Sequence, residues 1–278
     1  MIRIRNLSHA YEGAGIDALA GVDLDIPDGA RVAVVGPNGS GKTTLLRHMN
    51  GLLPPRGGEV RVDGMSTADP SALPGIRQAL GMVFQNPDNQ LVGMTVEEDV
   101  AFGPENLRLP SREIRKRVDR ALETVGLADF AERPPHTLSS GEKQLAAVAG
   151  VLAMGPRHIA LDEPTAYLDP AGRRKVLRVI DKLHEQGISI IHVTHDMDEA
   201  AFAEQVVVMD RGRIRMQGPP SEVFQKTAEL RDLGLDIPVV ADLAGRLRRR
   251  GFEIGQGVLT LEEACDALCA LLTETRSA

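Results

Sequence analysis

Apolar residues recur along this chain in two rhythms, and each predicts a different element. Near the start, Ile2 and Ile4, then Leu19, Val22, Leu24 and Ile26, alternate with polar positions. That period of two predicts strands over residues 2 to 7 and 18 to 26, joined by a loop containing Gly13 and Gly15, in an antiparallel layer. Further on, short continuous apolar runs at 32–35, 80–84, 158–163 and 188–194 read as buried strands, with a shorter strand from Gly58 to Val62 turning at Asp63-Gly64. Helical spacing fills the intervals. Thr95 and Glu98 form a capping box for a helix running toward Gly103, and Ile114, Val118, Ala121, Leu122 and Val125 mark one from Ser111, as cap, to a stop at Gly126. Further helices are predicted over 142–153 and 171–186, and a closing strand pair over 205–210 and 213–217. Strands alternating with helices give an α/β fold class.

From about residue 226 the pattern becomes purely helical. Leu230, Leu233, Leu235, Val239, Val240, Leu243 and Leu247 have helical spacing with a break at Gly234 and Pro238. Thr260 and Glu263 then cap a last helix with a stripe of Leu261, Ala264, Cys265, Leu268, Leu271 and Leu272. This small appendage packs either on its own domain or on a partner, the unpaired stripe being a dimer surface.

Composition narrows the class. A 278-residue chain with 42% hydrophobic and 26% charged residues has the make-up of an ordinary globular protein. No apolar run approaches the roughly 18 residues of a membrane span, and Met1-Ile2-Arg3-Ile4-Arg5 does not read as a signal peptide. A net charge of −7 argues against a general nucleic-acid surface. The basic run from Arg112 to Arg120 is interleaved with Glu113 and Asp119 and reads as a solvated helix face, and the Arg246 to Arg250 cluster as a solvated helix end or, alternatively, a contact for lipid headgroups or an acidic partner. Cys265 and Cys269, four residues apart, are expected as buried or half-buried thiols in a reducing compartment.

Candidate chemistry gathers where apolar runs end. Gly36-Pro37-Asn38-Gly39-Ser40-Gly41-Lys42-Thr43-Thr44 follows one strand, opens a helix and matches the phosphate-binding loop pattern in full. Its glycines let backbone N–H groups face a triphosphate, Lys42 reaches the β and γ phosphates, and the Thr43 hydroxyl suits Mg²⁺. The run 80–84 ends at Gln85, and the run 158–163 ends at Asp162 and Glu163. Adjacent carboxylates at a strand end are costly to bury without a cation or polar network. In a nucleoside triphosphatase, Asp162 faces Mg²⁺ and Glu163 aligns the attacking water. His195 ends a fourth strand, so four polar loops converge at the carboxyl edge of one sheet, where α/β proteins bind ligands. Leu138, Ser139, Ser140, Gly141 and Glu142 open another helix, as either a cap or an anion site. Tyr11 either stacks on a base or covers an apolar patch.

Taken in order, Gly36 to Thr44, Gln85, Leu138 to Gln144, Leu161 to Glu163, Asp169 and His195 resemble the nucleotide-binding subunit of ATP-binding cassette (ABC) transporters over about residues 1–225. The resemblance implies an ABC-type P-loop ATPase: a mainly parallel core sheet, N-terminal antiparallel strands, a helical signature subdomain at about 86–153 and a C-terminal extension over 226–278. It assigns Glu163, His195, Gln85 and Lys42 to catalysis, Tyr11 to the adenine, Leu138 to Glu142 to the signature that serves a partner's site, and Asp169 to the D-loop. Thr43, Gln85 and Asp162 are its Mg²⁺ residues, and ATP is its nucleotide. Head-to-tail pairing with a second ATPase subunit, identical or related, is implied as well. Residues 84–92, 99–107 and 233–238 are similar to the energy-coupling factor subgroup, which implies a transmembrane scaffold subunit, a substrate-binding membrane subunit, a vitamin or cobalt or nickel cargo, and a peripheral place on the cytoplasmic face. The acidic start Glu97-Glu98-Asp99 is expected to meet basic segments of the scaffold.

The signature departs from the common Leu-Ser-Gly-Gly-Gln at Ser140 and Glu142, and Leu145 stands where arginine is frequent. The extra carboxylate is expected to weaken closure on a triphosphate. Rival readings are a soluble ABC switch on DNA or ribosomes, a phosphate-loop kinase and a non-catalytic cassette. The first expects a second cassette or long inserts, the second leaves 138–144 and His195 without a role, and the third conflicts with Glu163 and His195.

Overall fold

The computed structural model describes residues 1–13, 17–255 and 257–275, so Gly15 of the predicted first loop lies outside the described residues. Strands run β1 (Ile2–Ala10), β2 (Asp17–Ile26), β3 (Arg31–Val35), β4 (Gly57–Val62), β5 (Met65–Ser66), β6 (Leu80–Val83), β7 (His158–Asp162), β8 (Ser189–Val193), β9 (Gln205–Asp210) and β10 (Arg213–Gly218). Helices are α1 (Lys42–Met49), α2 (Leu73–Ala79), α3 (Val96–Asn106), α4 (Ser111–Val125), α5 (Ser140–Ala153), α6 (Pro170–Glu185), α7 (Met197–Ala200), α8 (Pro220–Val223), α9 (Thr227–Asp232), α10 (Val239–Arg249) and α11 (Leu261–Thr275).

Two sheets result. An antiparallel sheet has the order β2-β1-β4-β5, and a larger one the order β10-β9-β3-β8-β7-β6, parallel except for β10 against β9. All residues of β3, β7 and β8 are buried, as continuous apolar runs in a two-faced parallel sheet require.

Side-chain alternation then divides the core. Val32, Val34, Ile191, Val193, Val207 and Met209 pack with α1 and the antiparallel sheet. Ile159, Leu161 and Ile190 pack with α3 to α6. Ala33, Val35, Val206 and Val208 face Phe224, Leu230, Leu235 and Leu259, which joins the C-terminal helices to the sheet.

Three local expectations change. The cap of α4 is Pro110, with Ser111 already helical. Helix α3 runs past Gly103 and through Pro104 to Asn106, and Gly103 is a packing position on it, since a Cβ there would lie 2.7 Å from Met154 Cγ. Cys265 and Cys269 are exposed, not buried, since α11 presents Leu261, Leu268 and Leu272 outward and buries Ala264. The capping boxes at Thr95 and Thr260 form as expected. Arg115 and Arg117 lie on the solvated side of α4, paired with Glu97 and Glu113.

Candidate active site

The parallel sheet brings the carboxyl ends of β3, β6, β7 and β8 to one edge, where a cleft of about 680 Å³ opens. It is lined by Tyr11, residues 38–44, Gln85, Glu163, Tyr167 and His195. Two glycines fix the course of the phosphate-loop segment beside it. A Cβ on Gly36 would stand 2.2 Å from the Met209 carbonyl oxygen, and one on Gly41 would stand 2.5 Å from that of Ala18. Both have positive φ, 153° and 105°, so shape and conformation each demand glycine. Gly39 also has positive φ but faces open space.

Helix α1 starts at Lys42 with its first turn facing the cleft. The buried Lys42 ammonium donates to the carbonyls of Gly36 at 2.7 Å and Pro37 at 3.0 Å. Burial pulls its pKa below the ordinary lysine value, against the charges of Glu163 and Asp162. Thr43 Oγ1 donates to Asp162 Oδ1 at 3.1 Å, which places the end of β7 beside the loop. Burial raises the Asp162 carboxyl, the Thr43 hydrogen bond opposes this, and the neighbouring Glu163 charge adds to it. Tyr11 reaches the same helix, its hydroxyl 3.2 Å from Thr44 Oγ1, and His9 packs edge-on against its ring at 4.8 Å.

Glu163 is held from both sides. Gln85 Nε2 donates to Oε2 at 2.8 Å, and His195 Nε2 lies 2.5 Å from Oε1. Its backbone has φ of +50°, a left-handed conformation unusual for glutamate, and its N–H bonds to the Val193 carbonyl at 3.0 Å. A strand that ends in this turn aims the carboxylate into the cleft instead of along the sheet.

The signature residues stand elsewhere. Leu138 is buried, and neither Leu138 to Glu142 nor Asp169 lines the cleft. Ser139 caps α5, and its hydroxyl and N–H both donate to Glu142 Oε2, at 2.7 and 2.8 Å. These bonds, the Ser139 hydroxyl foremost, hold the Glu142 carboxyl below the usual range. The carboxylate expected to oppose phosphate is therefore turned back into its own capping box. Asp169 caps α6 through Gly172 N–H at 2.7 Å. The two helix starts nearly touch: a Cβ on Gly141 would come within 3.1 Å of Gly172 Cα.

The family described as ABC transporter matches residues 19–166. The energy-coupling factor transporter ATP-binding protein EcfA1 of Symbiobacterium thermophilum is 54% identical over 255 residues, 91% of this chain and 89% of that protein. The chain belongs to the ABC transporter family, among its energy-coupling factor ATP-binding proteins. The cobalt import ATP-binding protein CbiO of Syntrophus aciditrophicus is 47% identical over 97% of this chain and 96% of its own length. The solved structure of cbiO1 from Clostridium perfringens, described as part of the transporter complex cbiONQ, superposes with a TM-score of 0.76 at 38% identity, covering 89% of this chain and 98% of that one. A dimeric cassette, MJ0796, in a post-hydrolysis state with ADP and Pi gives 0.71 at 33% identity, covering 79% and 98%. ATP-binding proteins of this group are ATPases, and this chain is one of them.

This ABC ATPase also holds site residues that sequence reasoning missed. Tyr167 lines the cleft with φ of +62° and a largely exposed ring. Behind His195 lies Glu199, a buried carboxylate that accepts from Thr165 and Thr194, each at 2.8 Å. Arg173 Nε stands 2.9 Å from Glu199, and His192 Nε2 stands 3.3 Å from it. Burial by itself would raise this carboxyl, but His192 and the two hydroxyls outweigh it and bring the pKa to about 2. Arg173 also pairs with Asp196 at 2.5 Å. The turn after β7, the end of β8 and helix α6 thus meet on one charge. The sequence signal was faint: a glutamate four residues after the histidine, in a short helix.

Proposed function

We propose that this chain is the ATP-hydrolysing motor subunit of an energy-coupling factor importer, and that Glu163 is its general base. The observation that carries the catalytic part is the Glu163 carboxylate, fixed between Gln85 and His195 beside the phosphate loop. Residues 36–44 cradle the triphosphate with backbone N–H groups and the positive end of α1, while Lys42 exchanges its carbonyl partners for phosphate oxygens. The Tyr11 ring presents a face to the adenine. Glu163 orients a water and accepts its proton, and His195 holds that carboxylate and the γ-phosphate in register. Thr43, Asp162 and Gln85 offer only oxygen donors, the hard set that suits Mg²⁺, and the first two are already adjacent. Held by these residues, the ion would supply positive charge to offset that of the phosphates.

Since Leu138 to Glu142 and Asp169 lie off the cleft, we assign them to the site of a second ATPase subunit arranged head to tail, identical or related. Residues 1–225 form the nucleotide-binding domain, with 86–153 as its helical subdomain, and 226–278 form the extension. The membrane partner fits a groove of about 660 Å³ beside α3 and α4, bordered by exposed Val92, Met94 and Phe102 and by Glu97, Glu98 and Glu105. Asp99, expected among these acids, is used inward: it accepts from the N–H groups of Val92 and Gly93 at 2.6 and 3.0 Å. The loop from Gln85 therefore ends on α3, and movement at the catalytic glutamine reaches the groove through bonded backbone. By its likeness to energy-coupling factor ATP-binding proteins we place the chain peripherally on the cytoplasmic face, beneath a scaffold and a substrate-binding subunit that carry a micronutrient such as a metal ion or vitamin; no helix among the described residues is long and apolar enough to cross a membrane. No part of this reading involves nucleic acid.

Glu163→Gln tests it. ATP affinity is expected to stay within a few-fold while turnover falls by at least about a hundredfold. Turnover at the original rate removes the base role.

A further inference from the structure

A second concave site lies in the C-terminal helices, away from the catalytic cleft. It encloses about 340 Å³ between the α8–α9 segment, α10 and the stretch leading into α11. That volume is at the small end for ligand pockets. Its inner wall is apolar, from Phe224, Ile237 and Leu259, and its rim carries Arg231, Arg248 and Arg249. Gly245 leaves the space under the rim open. Arg249 Nη1 and Arg248 Nη2 stand 3.6 and 3.9 Å from the point where its Cβ would be, so two guanidinium groups converge over one gap.

Charge in this pocket is unbalanced. Asp242 is its one carboxylate among the described residues, and it is already engaged by Arg246 at 2.7 Å and Arg231 at 3.5 Å. Arg248 spends one Nη1 hydrogen on the Gly255 carbonyl at 2.7 Å, which fixes the fork with its other nitrogens to spare. In a chain of net charge −7, such a concentration of positive charge is not a general surface property. Beyond Lys226, moreover, every basic residue is arginine. Lysine would solvate a surface equally well, whereas a planar fork is the better match for a phosphate, which it can bind through two parallel N–H bonds.

We infer that this pocket binds the phosphate of a small anionic molecule, with the guanidinium groups of Arg248 and Arg249 on the phosphate and Phe224, Ile237 and Leu259 against its organic part. The ligand is either a soluble phosphorylated metabolite or the headgroup of an anionic lipid, which present the same chemistry. Bound there, it ties α10 to the segment before α11, whose Leu259 is buried in the same cluster as Val35 and Val208 of the main sheet. Occupancy of the pocket is thereby linked to the setting of the C-terminal helices.

The test uses the full chain with Lys42→Ala, so that the phosphate loop is weakened equally in every sample. Pyrophosphate binding is measured by calorimetry at low salt, and phosphatidylglycerol vesicle binding by flotation. Two variants are added to that background, Arg248→Ala with Arg249→Ala, and Arg249→Glu alone. The second changes an exposed side chain and keeps the fold testable. At least a tenfold loss of pyrophosphate affinity in both variants supports the site and identifies a soluble phosphate. Unchanged pyrophosphate binding with vesicle binding lost supports it and identifies a lipid headgroup. Retention of both kinds of binding, or the absence of both from the Lys42→Ala chain, overturns it. None of these outcomes depends on ATP hydrolysis.

Discussion

Glu199 shows how much a single buried carboxylate can hold. Its folded pKa of about 2, against 4.5 for an ordinary glutamate, means that the folded state favours the ionised form. The resulting stabilisation is complete above about pH 4.5 and disappears as the pH falls toward 2. His48 adds an earlier window. Burial foremost, with the charge of His9, lowers its pKa from 6.5 to about 4, so stability falls as the pH drops from 6.5 toward 4. Denaturant titrations at pH 7, 5 and 3 are expected to show successive losses in the wild type. Glu199→Gln is expected to be less stable at pH 7 by a few kcal/mol, since removing one partner of a buried network strands the rest, and to lack the loss between pH 4.5 and 2. A variant whose acid profile matches the wild type would show that this carboxylate carries no such linkage. Arg173 reports on position as well as stability: Arg173→Lys keeps the charge but loses the fork to Asp196 and Glu199, so turnover is expected to fall more than ATP affinity.

At the scale of elements, the contact that matters most is the one between the starts of α5 and α6. Gly141 opens the first and Gly172 follows the cap of the second, and their backbones approach without side chains between them. Gly141→Ala sets a Cβ 3.1 Å from Gly172 Cα, so the helices must part by a few tenths of an ångström. The expected cost is about 1 kcal/mol in a melting experiment. ATPase activity is expected to fall by more than that cost explains, because the residues we assign to a second subunit's site, Leu138 to Glu142 and Asp169, lie at these two helix starts. Gly172→Ala presses on Asp169 Oδ1 at 2.8 Å, and the double variant is expected to be less harmful than the sum of the two. Strict additivity would mean that the helix starts act independently.

At the scale of the whole molecule, the coupling we propose to a membrane partner requires a connection between the cleft at one sheet edge and α3. The loop after Gln85 is tied at both ends, by Gln90 Oε1 to Phe84 N–H at 2.8 Å and by Asp99 to Val92 and Gly93. These bonds join the loop to α3, on which Phe102 is 55% exposed. Phe102→Glu is expected to leave folding and the ATP affinity of the isolated chain unchanged, yet to abolish recovery of integral membrane subunits when the tagged chain is extracted from membranes. Undiminished recovery would place the docking surface elsewhere.

Much of this protein was written locally. The phosphate loop is contiguous, and its chemistry depends on backbone geometry that only glycines at fixed spacing permit, so Gly36 to Thr44 was readable without any fold. The strands leading to Gln85, Glu163 and His195 were readable for a similar reason, since a two-faced buried strand is an apolar run and its polar end marks the sheet edge. Where chemistry depends on side chains distant in sequence, the pattern was silent. Tertiary structure alone decided that Glu199 meets Arg173, that Asp99 turns inward and that α11 leaves its cysteines outside, whereas the fold-back of Glu142 on Ser139 is a local capping box already contained in the Ser-x-x-Glu spacing. Periodicity reports which face of an element is apolar, whereas the partner of a charge is set by packing among elements that the chain brings together only on folding.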